Sequence, residues 1–231
     1  MTAAAGDDDS TPESGTCSSA EVLDYTPVDS LSTDDVHRLR AVYEPLTESV
    51  RALIDATIRT EADADAVAAA KAEIDAATAR LRSRQIDGPF GIRTAGDGTQ
   101  MTWGNPVIGL RNPMAPPVIV EHRDDGSVAS EFELGAAYEG PPGHVHGGVA
   151  ALVLDHLLGE AASNLERPRL TGTISLRYLR TTPLGRLRAE AAIVRIEGVK
   201  AYAEGFLADD DGVTVEAHGV FIQPRWAREQ T

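Results

Sequence analysis

One carboxylate, Asp155, stands inside GHVHGGVAALVLDHLLGEAA (residues 143–162), a glycine-opened segment that reads as a helix apolar on every side. A helix apolar all round belongs in a core, and a charge in a core is costly unless something pairs it or uses it. Gly147 and Gly148 sit where the helix begins. Amides there lack intrahelical partners and point outward with partial positive charge, and glycine lets a ligand approach them closely. Such a terminus suits a carbonyl oxygen that becomes an oxyanion during acyl transfer. The same residue types also fit a purely structural reading, in which the glycines permit a tight turn and Asp155 pairs with His156 or with an arginine on a strand.

Spacing constrains the chemical reading. Asp155 lies seven residues after Gly148, so it returns to nearly the same face, roughly 10 Å further along the axis. A reacting atom must lie about 3 Å from both the oxyanion donors and the base or nucleophile. One helix cannot supply both. Two antiparallel copies place Gly147 of one beside Asp155 of the other, and a two-fold dimer does so twice. His144 and His146 form an H-x-H, but no histidine or carboxylate follows before Asp155, so no metal is expected. His146 is expected to fix the loop ahead of the helix and to hydrogen-bond near a substrate carbonyl. His37, His122 and His218 carry no motif. A G-x-S-x-G turn, a P-loop and a dinucleotide fingerprint are all absent from the sequence.

The elements that must hold these residues follow from periodicity. Residues 1–20 are small, polar and acidic and are expected to be disordered. Residues 21–85 form a helical extension. Val36, Leu39, Tyr43, Leu46, Val50, Leu53 and Thr57 step by three and four behind an N-cap at Ser32 or Thr33. A second helix is expected from Thr60, with Val67, Ala70, Ile74, Ala77 and Leu81 on one stripe. Residues 86–117, crowded with Gly and Pro, read as an irregular surface linker. From 118 to 231 the period becomes two. PVIVEHR and SVASEFELG flank an Asp124-Asp125-Gly126 turn. After the apolar helix come LTGTISLRYLR, RLRAEAAIVRI, AYAEGFLA and GVTVEAHGVFIQ, separated by turn residues. Four consecutive strands after a buried helix predict an antiparallel meander curled around it.

Net charge is −15, which argues against nucleic acid and anionic membranes as partners. Between 170 and 200 the sign reverses: Arg177, Arg180, Arg186, Arg188, Arg195 and Lys200 face only Glu190 and Glu197, a band suited to a small anion or to a solvated strand face. Cys17 is the one cysteine, so no disulfide framework exists and a reducing compartment is expected. MTAAAGDDDS lacks a basic-then-apolar signal pattern, and no uncharged apolar run approaches the roughly 20 residues of a membrane span. A cytoplasmic protein is the expectation.

The run His146-Gly147-Gly148, then six residues, then Asp155, followed by Tyr178 and Pro183-Leu184-Gly185, resembles the hotdog-fold thioesterases of the 4-hydroxybenzoyl-CoA thioesterase superfamily. The likeness is greatest to the PaaI-like group and the related human mitochondrial acyl-CoA thioesterases, and it spans about 118–223. It implies an α+β hotdog fold, an antiparallel sheet wrapped around a long central helix, here with an N-terminal helical extension. It also implies hydrolysis of a fatty or aryl acyl-CoA by a homodimer or a dimer of dimers. Carried over by position, Asp155 is general base or nucleophile, the Gly147 amide polarises the thioester carbonyl, His146 orients it and Thr171 positions water. Gly148, Arg177 and Arg180 are the substrate-binding candidates, the arginines toward the phosphates of coenzyme A. No cofactor is needed, because a thioester is already activated. Some relatives carry an Asn shortly before HGG where this chain has Gly140-Pro141-Pro142-Gly143, so the choice between water attack and Asp155 attack stays open. Two alternatives use the same residues: a hotdog dehydratase or hydratase, and a non-catalytic acyl-CoA-binding scaffold.

Overall fold

In the computed structural model, Ser32 and Asp35 close a capping box. The Asp35 N–H donates to Ser32 Oγ at 3.2 Å and the Ser32 N–H donates to Asp35 Oδ2 at 2.9 Å, satisfying orphan amides at the start of a helix. The structure describes residues 31–163 and 167–228, and of residues 25–27 the backbone alone; the acidic tail and Cys17 lie outside the described residues. The elements in chain order are β1 (Tyr25–Pro27), α1 (Thr33–Arg59), α2 (Ala64–Arg82), β2 (Ile92–Thr94), β3 (Gln100–Met101), β4 (Glu121–His122) and β5 (Val128–Leu134), then a 3-10 turn at Ala136–Tyr138. They continue with α3 (Gly147–Ala162), β6 (Leu170–Tyr178), β7 (Gly185–Glu197), β8 (Lys200–Asp209), β9 (Gly212–Ile222) and α4 (Arg225–Arg228).

The N-terminal part departs from the expectations in four respects. The second helix starts at Ala64 rather than Thr60. Asp63 is the cap, accepting from the Ala66 N–H at 2.9 Å, while the Thr60 hydroxyl accepts from Ala62 in the preceding turn. No residue of α2 is buried, and Val67, Ile74 and Leu81 of its apolar stripe are exposed. In α1 the buried face is Val36 and Thr47 with Leu39 and Tyr43 beside them, whereas Leu46 and Leu53 are exposed. The Gly/Pro-rich stretch is more than a surface linker. It contributes β2, which pairs with β1, and β3, which pairs with β2, in a three-stranded sheet. Its Ala95, Met101 and Trp103 form a small second core with Val36, Trp103 stacking on Phe90 with centroids 5.9 Å apart.

The main sheet is six-stranded, in the order β4-β5-β7-β8-β9-β6, with every pairing antiparallel. The expected four-strand meander holds for β7, β8 and β9 only. β6 crosses the end of the sheet and pairs with β9 at the far edge. The crossing loop is pinned there: the Leu179 N–H donates to Thr214 O at 2.8 Å, and the Thr182 hydroxyl donates to Thr214 Oγ1 at 2.8 Å.

α3 lies across the inner face, with Val153, Leu154, Leu157 and Leu158 fully buried. Beneath it the strands present small residues at alternate positions: Ala189 and Ala191 on β7, Ala201 and Ala203 on β8, Ala217 on β9. This alternation lets the helix settle close to the sheet. An antiparallel sheet wrapped on one long helix is the hotdog arrangement. No helix among the described residues is long and apolar enough to cross a membrane.

Candidate active site

His146 is the N-cap of α3. Its backbone is extended (φ −62°, ψ 132°) and its Nδ1 accepts from the Gly148 N–H at 3.0 Å. Its carbonyl takes the amides of Val149 and Ala150, and its own N–H donates to Tyr138 O at 2.9 Å. Of the amides in the first turn, that of Gly147 is the one with no acceptor among the described residues. With Nδ1 accepting, the neutral ring carries its proton on Nε2, so the cap leaves two outward donors: the Gly147 N–H and the His146 Nε2–H. Gly140 makes the close loop possible, since a Cβ there would stand 2.7 Å from His146 Cα.

Tyr178, at the end of β6, donates its hydroxyl to Gly147 O at 2.8 Å, and a Cβ on Gly147 would touch its ring at 3.4 Å. The Gly147–Gly148 peptide is thus held at both ends, its carbonyl by Tyr178 and its amide by His146. The resemblance includes Tyr178 but gives it no role. The available signal is period two, because Ile174 and Leu176 on the same strand face pack against the core under α3.

Asp155 is half-buried and accepts from Thr171 Oγ1 at 3.0 Å through Oδ1. His156 turns to Glu160, with Nε2 3.5 Å from Oε1. Burial pushes the His156 imidazole below the ordinary histidine value, against the opposing charges of Glu160 and Asp155. His144 and His146 do not converge: His144 Nδ1 lies 2.8 Å from Pro142 O, away from the His146 cap.

The other candidates separate. The Gly148 amide is spent on His146. Arg180 is committed to Asp209 through both carboxylate oxygens and to Gly212 O at 2.8 Å, where it ties the end of β6 to the β8–β9 turn. This pairing also holds the Asp209 carboxyl below its usual range. Arg177 is 77% exposed and only 3.9 Å from Glu216.

Within one chain the two centres stay apart, the Gly147 amide at the mouth of α3 and the Asp155–Thr171 pair two turns on. What joins them is an open surface. Gly148, Leu152 and Asp155 form the uncovered stripe of α3, Leu152 being 37% exposed. β6 beside it is an edge strand whose residues are almost all exposed.

The fold is shared with known proteins. The sequence profile of the thioesterase superfamily matches residues 142–216. A crystal structure described as a thioesterase superfamily protein is 34% identical and superposes with a TM-score of 0.69, covering 78% of this chain and 95% of that one. The chain belongs to the thioesterase superfamily. Among curated proteins it is similar to acyl-coenzyme A thioesterase THEM5 of Mus musculus, 28% identical over 138 residues, which is 58% of this chain and 56% of that protein. It is also similar to acyl-coenzyme A thioesterase THEM4 of Xenopus laevis, 32% identical over 95 residues, 40% of this chain and 43% of that protein. The chain therefore spans about half the length of the curated relatives it matches.

Proposed function

We propose that this protein hydrolyses an acyl-CoA thioester to the free acid and coenzyme A, in a site completed by a second copy of the chain. One observation carries the reading. The free oxyanion donor and the carboxylate lie about 12 Å apart on a single helix, yet both are tethered to the same open edge strand, Gly147 through Tyr178 and Asp155 through Thr171. Two copies of β6 paired antiparallel about Ile174 and Ser175 set Thr171 of one opposite Tyr178 of the other. That pairing carries Asp155 of the partner subunit to the Gly147 amide, covers Leu152 and satisfies the open edge.

In such a site the thioester oxygen accepts from the Gly147 N–H and the His146 Nε2–H. By the base route, Asp155 takes a proton from water as the water oxygen attacks the carbonyl carbon. The tetrahedral oxyanion rests on the two donors and then collapses, expelling the coenzyme A thiolate, which is protonated from Asp155. By the nucleophile route, Asp155 itself attacks, the thiolate leaves, and water hydrolyses the mixed anhydride. Oδ2, free of protein partners among the described residues, is the oxygen placed for either role. Arg177, at the same edge, is offered for a phosphate of coenzyme A.

The test is release of free thiol from a panel of acyl-CoAs by the wild-type chain and by Asp155→Asn. Hydrolysis that falls by orders of magnitude in the variant supports the reading. Undiminished hydrolysis in Asp155→Asn, or loss of thioester without free thiol, overturns it.

A further inference from the structure

Arg51 on α1 is a cation without a counter-ion among the described residues. Its Nε is fully buried and has no hydrogen-bond partner among the described residues. Its Nη2 donates to Ala115 O at 3.4 Å, and the guanidinium also lies against the Tyr138 hydroxyl. The neighbouring Tyr138 hydroxyl is neutral and donates to that same carbonyl at 3.0 Å. Arg51 takes part in no ion pair among the described residues. Arg51 is half-buried, with its Nε shut off from water; a polar N–H buried without a partner is costly, so a position that keeps one invites a ligand that supplies an acceptor.

The space for that ligand lies beside it. Arg51 and Thr47 line a cavity of about 440 Å³ between α1 and the 100–122 segment, within the usual range for small-molecule sites. Its walls are mixed. Trp103, Ile108, Pro116 and Val118 give an apolar side; of the acids that reach it, Glu44 is held by Arg40 at 2.8 Å and Glu160 lies 3.5 Å from the imidazoles of His122 and His156. Glu48 is on the exposed rim. Of the two lining arginines, Arg51 is the one in no ion pair among the described residues, and its planar fork fits a carboxylate through two parallel N–H donors.

We propose that this cavity binds a monocarboxylate with an apolar tail, the carboxylate on Arg51 and the tail along Ile108, Pro116 and Val118. The binding claim stands on the cavity alone. Its further meaning rests on the hydrolase reading: the acid released from an acyl thioester belongs to this ligand class, which makes the cavity a place where product is sensed outside the active site.

Calorimetry on the full chain decides it, with octanoate, uncharged octanamide and inorganic phosphate as probes. The wild-type chain and Asp155→Asn are expected to bind octanoate alike, with octanamide and phosphate at least tenfold weaker. Arg51→Met is expected to lose octanoate at least tenfold, and Arg51→Lys to keep part of it. Without ligand, Arg51→Met is expected to melt higher than wild type, because an unmatched charge has gone. Equal octanoate binding by Arg51→Met, phosphate or octanamide binding as tight as octanoate, loss of octanoate in Asp155→Asn, or a lowered melting point in ligand-free Arg51→Met would each overturn the proposal. A chain that shows Arg51-dependent octanoate binding but releases no thiol keeps this site and loses the hydrolase reading. The reverse result separates them the other way.

Discussion

Thr171 donates its hydroxyl to Asp155 across 3.0 Å, from a strand edge to the one charged residue on the open stripe of the central helix. The bond occupies Oδ1 and leaves Oδ2 for a water or an acyl carbon. A hydrogen bond to a charged group contributes about 1.5–3 kcal/mol. Thr171→Val is accordingly expected to lower kcat by roughly 10- to 100-fold with a smaller change in KM, read from thiol release under saturating substrate.

Tyr178→Phe tests the other tether. Losing one neutral hydrogen bond costs about 0.5–1.5 kcal/mol, which predicts a kcat lowered by roughly 2- to 12-fold. The ring still packs on Gly147 in this variant. Hydrogen exchange at the Gly148 amide should quicken in step with the loss of rate. A lowered rate with unchanged exchange would place the effect elsewhere.

Subunit complementation separates a shared site from a self-contained one. Gly147→Pro removes the proposed donor at the first helical position, where proline is well tolerated, and His146 already has the extended backbone that must precede a proline. Gly147→Pro and Asp155→Asn are each expected to be inactive alone. Mixed after subunit exchange, they should regain activity in dimers that hold one intact pair. Absence of recovery once exchange is confirmed by mass spectrometry would argue for a site within one chain.

Stability should respond to acid through the Arg180–Asp209 pair. Hydrogen bonding to Arg180 is the main cause of the lowered Asp209 pKa. A carboxylate whose folded pKa lies below its unfolded value contributes stability above the unfolded value, about 3.9, and loses that contribution as pH falls through the folded one. Asp209→Asn is expected to melt lower than wild type at neutral pH. The gap should narrow below about pH 4, in melting curves recorded from pH 7 to pH 2.

A single-turnover reaction in ¹⁸O-water separates the two chemical routes. Base catalysis leaves the label in the released acid alone. A mixed anhydride opened at the aspartyl carbonyl leaves it in Asp155, where peptide mass spectrometry detects it.

The central helix was legible because two opposed signals coincide in it, a glycine start and an apolar surface broken by one acid. The strands of the main sheet were legible from period two. Their order was not. Nothing local in LTGTISLRYLR says that β6 leaves its successor β7 and pairs with β9, a choice made by the loop contacts at Thr182 and Thr214. The short strands β2 and β3 have too few residues to show a period, and their partners come from distant parts of the chain. The α2 boundary went to Asp63 because its carboxylate caps a free amide, while the Thr60 hydroxyl is spent in a turn. Arg180 illustrates the limit for charges: the sequence shows a basic band, but only the fold reveals that Asp209 has already claimed this member of it. Arg51 carries no motif at all, and only its buried Nε and its place on the cavity wall distinguish it.

The alanines under α3 set the height of the helix above the sheet. Ala189, Ala191, Ala201, Ala203 and Ala217 are all buried, and Gly205 between them would clash at 2.6 Å with Glu190 O if it carried a Cβ. A methyl group added to this floor lifts the helix and with it the mouth that caps on His146, so the floor is closed to adaptation. Natural variants should therefore keep small residues on the strands beneath the helix.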